Sequence, residues 1–120
     1  MTVSSTPMWS FKKCDMHVHS SSCYSRDYTP SDFTSTLLQS DLDVVAITDH
    51  NVVDVDLLCE IKNKMAELGK YVFGGVELNI HLKDETIQRH RLTIGKGNKG
   101  KYFHAIVWFD IKNAEAIAEI

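Results

Sequence analysis

Apolar positions along the chain fall into short blocks that alternate between a two-residue and a 3.6-residue period, and this alternation predicts the elements. Residues 11–19 read as a first strand. In it His17 and His19 share one face, while Met16 and Val18 point to the other. A polar, unpatterned loop follows over 20–29. Thr29-Pro30-Ser31-Asp32 then marks a helix start, with Thr29 as N-cap, Pro30 in the first turn and Asp32 facing the positive helix end. Phe33, Leu37 and Leu38 form the buried stripe of this helix, which should stop near Ser40.

Val44-Val45-Ala46-Ile47 is a continuous apolar run, as in a strand covered on both faces, and it opens into Thr48-Asp49-His50-Asn51. A helix over about 54–68 follows, with Leu58, Ile61, Met65 and Leu68 on one side and Gly69 as its stop. A third strand runs from Tyr71 through Gly74-Gly75 to Leu78. A basic, Gly-rich stretch over 83–101 reads as an insertion or hairpin turn, and Tyr102 to Phe109 as a fourth strand. Asp110 or Asn113 can cap a last helix. The layout is α/β, with parallel strands alternating with helices and ligands expected where strands end.

At 120 residues the chain is at most one domain, after a Ser/Thr-rich lead-in over 1–10. A hydrophobic content of 43% and a charged content of 24% place it among globular proteins rather than disordered ones. A net charge of −3 supplies no general attraction to nucleic acid or acidic lipid. Cys14, Cys23 and Cys59 are odd in number and form no CxxC, so neither a disulfide framework nor a thiolate zinc motif is indicated. No apolar run is long enough to span a membrane and the start lacks a signal-peptide pattern, so a cytoplasmic setting is expected.

The chemistry sits at the strand ends. His17, His19, His50, His104 and Glu77 supply nitrogen and oxygen donors suited to zinc, manganese or iron. A carboxylate such as Glu77 can bridge two ions, and ions about 3.5–4 Å apart activate water and stabilise a leaving oxygen in phosphoester hydrolysis. Asp15 and Asp49, beside these ligands, are candidates to orient the imidazoles by accepting their second N–H. Taken singly, each residue has a plainer reading: a chance HxH, a capped turn at Asp49-His50, a surface acid at Glu77, a core histidine at His104. Their joint placement at strand ends favours a metal centre. Arg89, Arg91, Lys96, Lys99 and Lys101 are candidates to contact substrate phosphates, although a solvated hairpin turn is the preferred reading. Cys14 and Cys23 lie near the site with no sign of an activated thiol.

The segments CDMHVHS, VVAITDHN, GGVELN and FHAIVWF resemble, in order and character, the first motifs of the polymerase-and-histidinol-phosphatase (PHP) superfamily. The resemblance covers roughly 11–110. It implies the first half of a distorted (β/α)7 TIM-like barrel, with two or three divalent ions at the C-terminal ends of the strands. By it, His17 and His19 hold a first ion, Glu77 bridges two, His104 serves the second and His50 the third. It also implies a metal-dependent phosphoesterase acting by metal-bound hydroxide on a phosphomonoester or a nucleic-acid phosphodiester. The wording around the His pair is most similar to PHP domains placed before AAA or SMC-type ATPase modules, which makes such a module, or a polymerase, an expected partner.

Two departures stand out. The family's third ligand, five or six residues after the second His, falls here on Tyr24 and Ser25, with Asp27 as a later substitute. The family's remaining ligands would lie beyond residue 120, so a partial domain is expected, whose exposed sheet edge invites self-association. The alternative is a non-catalytic PHP scaffold or regulatory module.

Overall fold

The computed structural model describes residues 10–23, 28–93 and 101–119. The chain runs through β1 (Cys14–Val18), α1 (Pro30–Gln39), β2 (Val44–His50), α2 (Val55–Glu67), β3 (Tyr71–His81), α3 (Asp84–Arg89) and β4 (Tyr102–Phe109). A 3-10 turn at Ile111–Asn113 then leads into α4 (Ala114–Ala118). Local chemistry accounts for the helix ends. Thr29 Oγ1 accepts the Asp32 N–H at 3.1 Å, and Asp32 in turn accepts the Thr29 N–H at 3.2 Å, closing a capping box at α1. Asp54 caps α2 by accepting the Leu57 N–H at 3.0 Å, and Gly69 ends it at φ 69°, where a side chain would be strained.

The strands form one sheet in the order β1-β2-β3-β4. β1, β2 and β3 are parallel, with β2 and β3 in register from Val44 opposite Tyr71 to His50 opposite Glu77. β4 departs from the expected parallel arrangement: it runs antiparallel to β3. A parallel return needs a crossover that carries the chain back along the sheet. Here the connection stays at one end. The Leu82 N–H donates to the Lys101 carbonyl at 2.9 Å and Lys101 Nζ pairs with Asp84 at 2.9 Å, so the base of the connection closes like a hairpin, with α3 inside it.

Because the three parallel strands are consecutive, their crossover helices lie on the same side. Phe33 and Leu37 of α1, Leu57, Leu58, Ile61 and Met65 of α2, and Ile111 and Ala114 pack with Val45, Ile47 and Phe109 into one core. The opposite face is left without helices, and Tyr71, Phe73 and Trp108 are exposed on it. The sheet is curled. In a flat sheet β1 and β4 would lie about 14 Å apart, three strand spacings. Yet Trp108 Nε1 of β4 donates to the Met16 carbonyl of β1 at 2.8 Å. The arrangement is a four-stranded half-barrel, mostly parallel.

β1 carries one further irregularity. Asp15 pairs with Val45 and Val18 with Ile47, so β1 spends three steps where β2 spends two. This bulge breaks simple alternation. Asp15 and Val18 both take the register of the core-facing Val45 and Ile47, and His17 is freed to face the other way.

Gly75 sits where the sheet tolerates no side chain. A Cβ there would lie 2.6 Å from Thr48 Cγ2 and 3.0 Å from the Val107 carbonyl oxygen. Gly75→Ala should therefore destabilise the fold by about 1–3 kcal/mol, the usual cost of overpacking, as read by urea denaturation. An unchanged midpoint would show that β2 and β4 part more easily than this packing implies.

Candidate metal centre

The site is built around the Glu77 carboxylate, 2% exposed although it belongs to a charged residue. Parallel register sets His50 directly beside it. Asn51 then fixes the chain after β2. It adopts φ 52°, which Asn tolerates better than most residues, its N–H donates to the Glu77 carbonyl at 2.9 Å, and its Oδ1 accepts the Asn79 N–H at 3.0 Å. The β1 bulge and the curl of the sheet bring His17 and His19 in from one side, and β4 brings His104 from the other.

His17 Nε2 lies 2.7 Å, His19 Nε2 3.1 Å and His50 Nδ1 3.6 Å from Glu77 Oε2, while His104 Nδ1 contacts Oε1. The rings of His19 and His50 stack at 4.5 Å, and His17 and His104 meet them edge-on. The five residues His17, His19, His50, Glu77 and His104 are thus together, each within contact of one carboxylate.

The hydrogen bond from His17 holds the Glu77 carboxyl below its ordinary range; burial opposes this, and the charges of His50, His17 and His104 reinforce it. Burial, followed by the His50 charge, pushes the His19 imidazole down, with Glu77 acting against both. The cluster therefore holds an anionic acid and a His19 ring that resists protonation, which is the state a metal requires.

The donor set fits divalent ions on a structural observation of its own. Three ring nitrogens converge on Oε2, an oxygen with two lone pairs, and the buried His50 Nδ1 finds no hydrogen bond there. A cation between nitrogens and oxygen satisfies all of them. Two groups share the acid, His17-His19-Glu77 and His50-Glu77-His104, each with its ligand atoms within 4.8 Å of one another, and either could hold an ion.

The described hydrogen bonds of the two aspartates go to backbone and to Ser20. Asp15 Oδ1 accepts the backbone N–H of His17 at 3.1 Å, stabilising the bulge. Asp49, 2% exposed, accepts the Ser20 N–H at 2.6 Å and the Ser20 hydroxyl at 2.5 Å, which ties the loop after β1 to β2. The hydrogen bonds seen for both acids thus hold backbone and loop in place. In the basic stretch, Lys101 is engaged by Asp84, and Arg89 and Arg91 are exposed. Tyr24, Ser25, Asp27, Lys96 and Lys99 lie outside the described residues. Cys23 is the residue that spacing alone undervalued: with His19 and His50 it forms a third group of ligand atoms within 4.8 Å. Its only sequence signal is its position four residues after His19.

Neither a family model nor a curated protein matches the chain. Among the described residues, no helix is long and apolar enough to cross a membrane.

Acid should loosen the metal-free protein in two stages. His19 titrates at 6.5 when unfolded and lower when folded, so below 6.5 the unfolded chain binds more protons and stability falls with pH. The contribution of Glu77 is present above its unfolded value of 4.5 and is lost as pH falls through its lower folded value. Thermal denaturation of chelator-treated protein should show the melting temperature dropping once pH passes below 6.5, with a shallower drop in His19→Gln. Identical slopes in the two proteins would assign the effect to other groups.

Proposed function

We propose that the chain forms part of a PHP-type metal-dependent phosphoesterase that hydrolyses a phosphomonoester or a nucleic-acid phosphodiester. The observation that carries this reading is the Glu77 carboxylate, which offers one oxygen to His17, His19 and His50 and the other to His104. A buried acid presenting its two oxygens to separate imidazole sets is the arrangement a bridged ion pair needs. His17 and His19 would hold one ion with Glu77, and His50 and His104 the other, each being zinc, manganese or iron. Such a pair lowers the pKa of bound water toward about 7 and polarises a phosphoryl oxygen.

The chain's own residues supply the rest. One carboxylate among neutral imidazoles leaves a loaded centre strongly positive, so a phosphate is drawn to it. His17 and His104 keep 46% and 54% of their side chains exposed, whereas Glu77 keeps 3%. Structural metal sites close over the ion, and catalytic ones leave a position open. The exposure of the outer imidazoles supports a site that a substrate can enter. Asp15 and Asp49 act indirectly, by holding the backbone of His17 and the loop at Ser20.

A scaffold reading has one observation in its favour: Phe73 (41% exposed) and Trp108 (52% exposed) lie on the helix-free face, which suits contact with another polypeptide segment. Metal content and turnover separate the two. Protein purified without chelator should carry at least one equivalent of zinc, manganese or iron and hydrolyse a generic phosphodiester with manganese. Loss of even an outer partner of a metal ligand costs about 10–100-fold, so His17→Ala should reduce turnover at least that much. Metal-loaded wild type and His17→Ala with equal turnover would favour the scaffold. Protein without bound metal would remove the phosphoesterase reading.

A further inference from the structure

Past the Glu77 centre the sheet continues as a two-stranded extension. β2 stops at His50, opposite Glu77, whereas β3 runs on to His81 with β4 beside it in unbroken antiparallel register. Alternation along β3 sets Glu77, Asn79 and His81 on one face, and pairing sets Ile106, His104 and Tyr102 beside them in that order. The acid of the centre and the two residues of the far row therefore face the same way. At about 3.4 Å per residue, Tyr102 lies about 7 Å from His104 along β4, and His81 about 14 Å past Glu77 along β3. Only the row of Asn79 and His104 intervenes, and the His104 ring leans back to Glu77 Oε1.

The rings of His81 and Tyr102 stack with centroids 4.4 Å apart and planes 10° from parallel. A cross-strand pair of this kind can fasten a hairpin. Here the connection is already fastened by the Leu82–Lys101 backbone hydrogen bond and the Lys101–Asp84 ion pair. The rings are also poorly covered: Tyr102 is 62% exposed, and His81 is exposed beside it. Among the described residues neither has a further strand at its side, since β2 has ended and β4 is the edge of the sheet. The pair is thus a flat aromatic surface open to solvent, on the same face as the candidate metal centre. Such surfaces take up nucleobases, because every base has a π-face to stack.

We infer that His81 and Tyr102 form a stacking subsite that receives the base of a nucleobase-bearing phosphoester whose phosphate lies at the Glu77 centre. In such a ligand one sugar separates phosphate from base, and in the sheet one row separates the centre from the rings. Specificity at this subsite is for flatness rather than for one base, as stacking without hydrogen-bond readout gives. The placement of the phosphate rests on the phosphoesterase reading, whereas the stacking has a readout of its own.

Nuclear magnetic resonance titration of the full chain with thymidine monophosphate, and with deoxyribose phosphate, which lacks the base, tests it. Wild type should bind the nucleotide about 5–150-fold more tightly, the range that base–aromatic stacking gives, and shift the thymine ring protons upfield. Tyr102→Ala and His81→Ala should each bring that ratio toward one and lose the upfield shift. Tyr102→Phe, which keeps the ring, should retain both. A ratio is insensitive to a general loss of affinity, so it separates stacking from a loosened hairpin. Oligothymidylate in competition distinguishes the source of the base. Displacement of the nucleotide at a lower concentration of nucleotide units upholds the subsite for single-stranded nucleic acid, and displacement only at a higher one upholds it for a free nucleotide. Equal affinities in wild type, or an unchanged ratio in both alanine variants, would overturn the subsite and leave metal-dependent turnover of a generic phosphodiester untouched. Upfield shifts in a metal-loaded wild type that shows no turnover would uphold the subsite and remove the phosphoesterase reading instead.

Discussion

A carboxylate removed from water must be compensated, and the centre of this fold is organised by that demand at Glu77. The penalty for an uncompensated buried charge is several kcal/mol. No lysine or arginine approaches Glu77 among the described ion pairs; imidazoles do, from β1, β2, β4 and the segment after β1. Imidazole is an economical partner for such an acid. It can donate a proton, exchange that proton for a cation, and be disfavoured as a cation by burial and by a neighbouring imidazole, the two causes that push His19 down.

The geometry that allows this convergence is supplied by backbone rather than by the ligands. Register alone sets His50 against Glu77. The Asn51 turn then stitches the end of β2 to β3 at Glu77 and Asn79. Trp108 holds β4 toward β1 across two intervening strands, and without that curl the imidazoles of β1 and β4 would face solvent on opposite flanks. Stability and site formation thus draw on the same contacts, while the core of aliphatic and aromatic side chains beneath the other face holds the helices in place.

Much of this is legible in the amino-acid order, for identifiable reasons. The Thr29 N-cap and the Gly69 stop are local signals: the first begins α1 and the second ends α2, as their chemistry requires. The apolar run of β2 announces a strand covered on both faces. The direction of β4 is not local: it depends on how Leu82, Asp84 and Lys101 close the connection. The task of Asp49 is equally hidden, because its neighbour His50 suggests an imidazole partner while the donor that reaches it, Ser20, lies 29 residues earlier. Cys23 is placed near the site by sequence, but its contact with His50 is not legible there, because that contact exists only once the Ser20 turn has closed.

The bulge between Asp15 and Val18 has a consequence for how this segment can vary. A pleated strand keeps a parity count, and the extra residue shifts that count by one just before the imidazoles. Pairing carried on without a bulge from Asp15 opposite Val45 would set His17 opposite Ile47, turned toward the aliphatic core; the one-residue shift sets Val18 there instead and leaves His17 on the opposite side. Residue number in these few positions therefore matters alongside composition, because it decides whether Val18 or His17 meets Ile47.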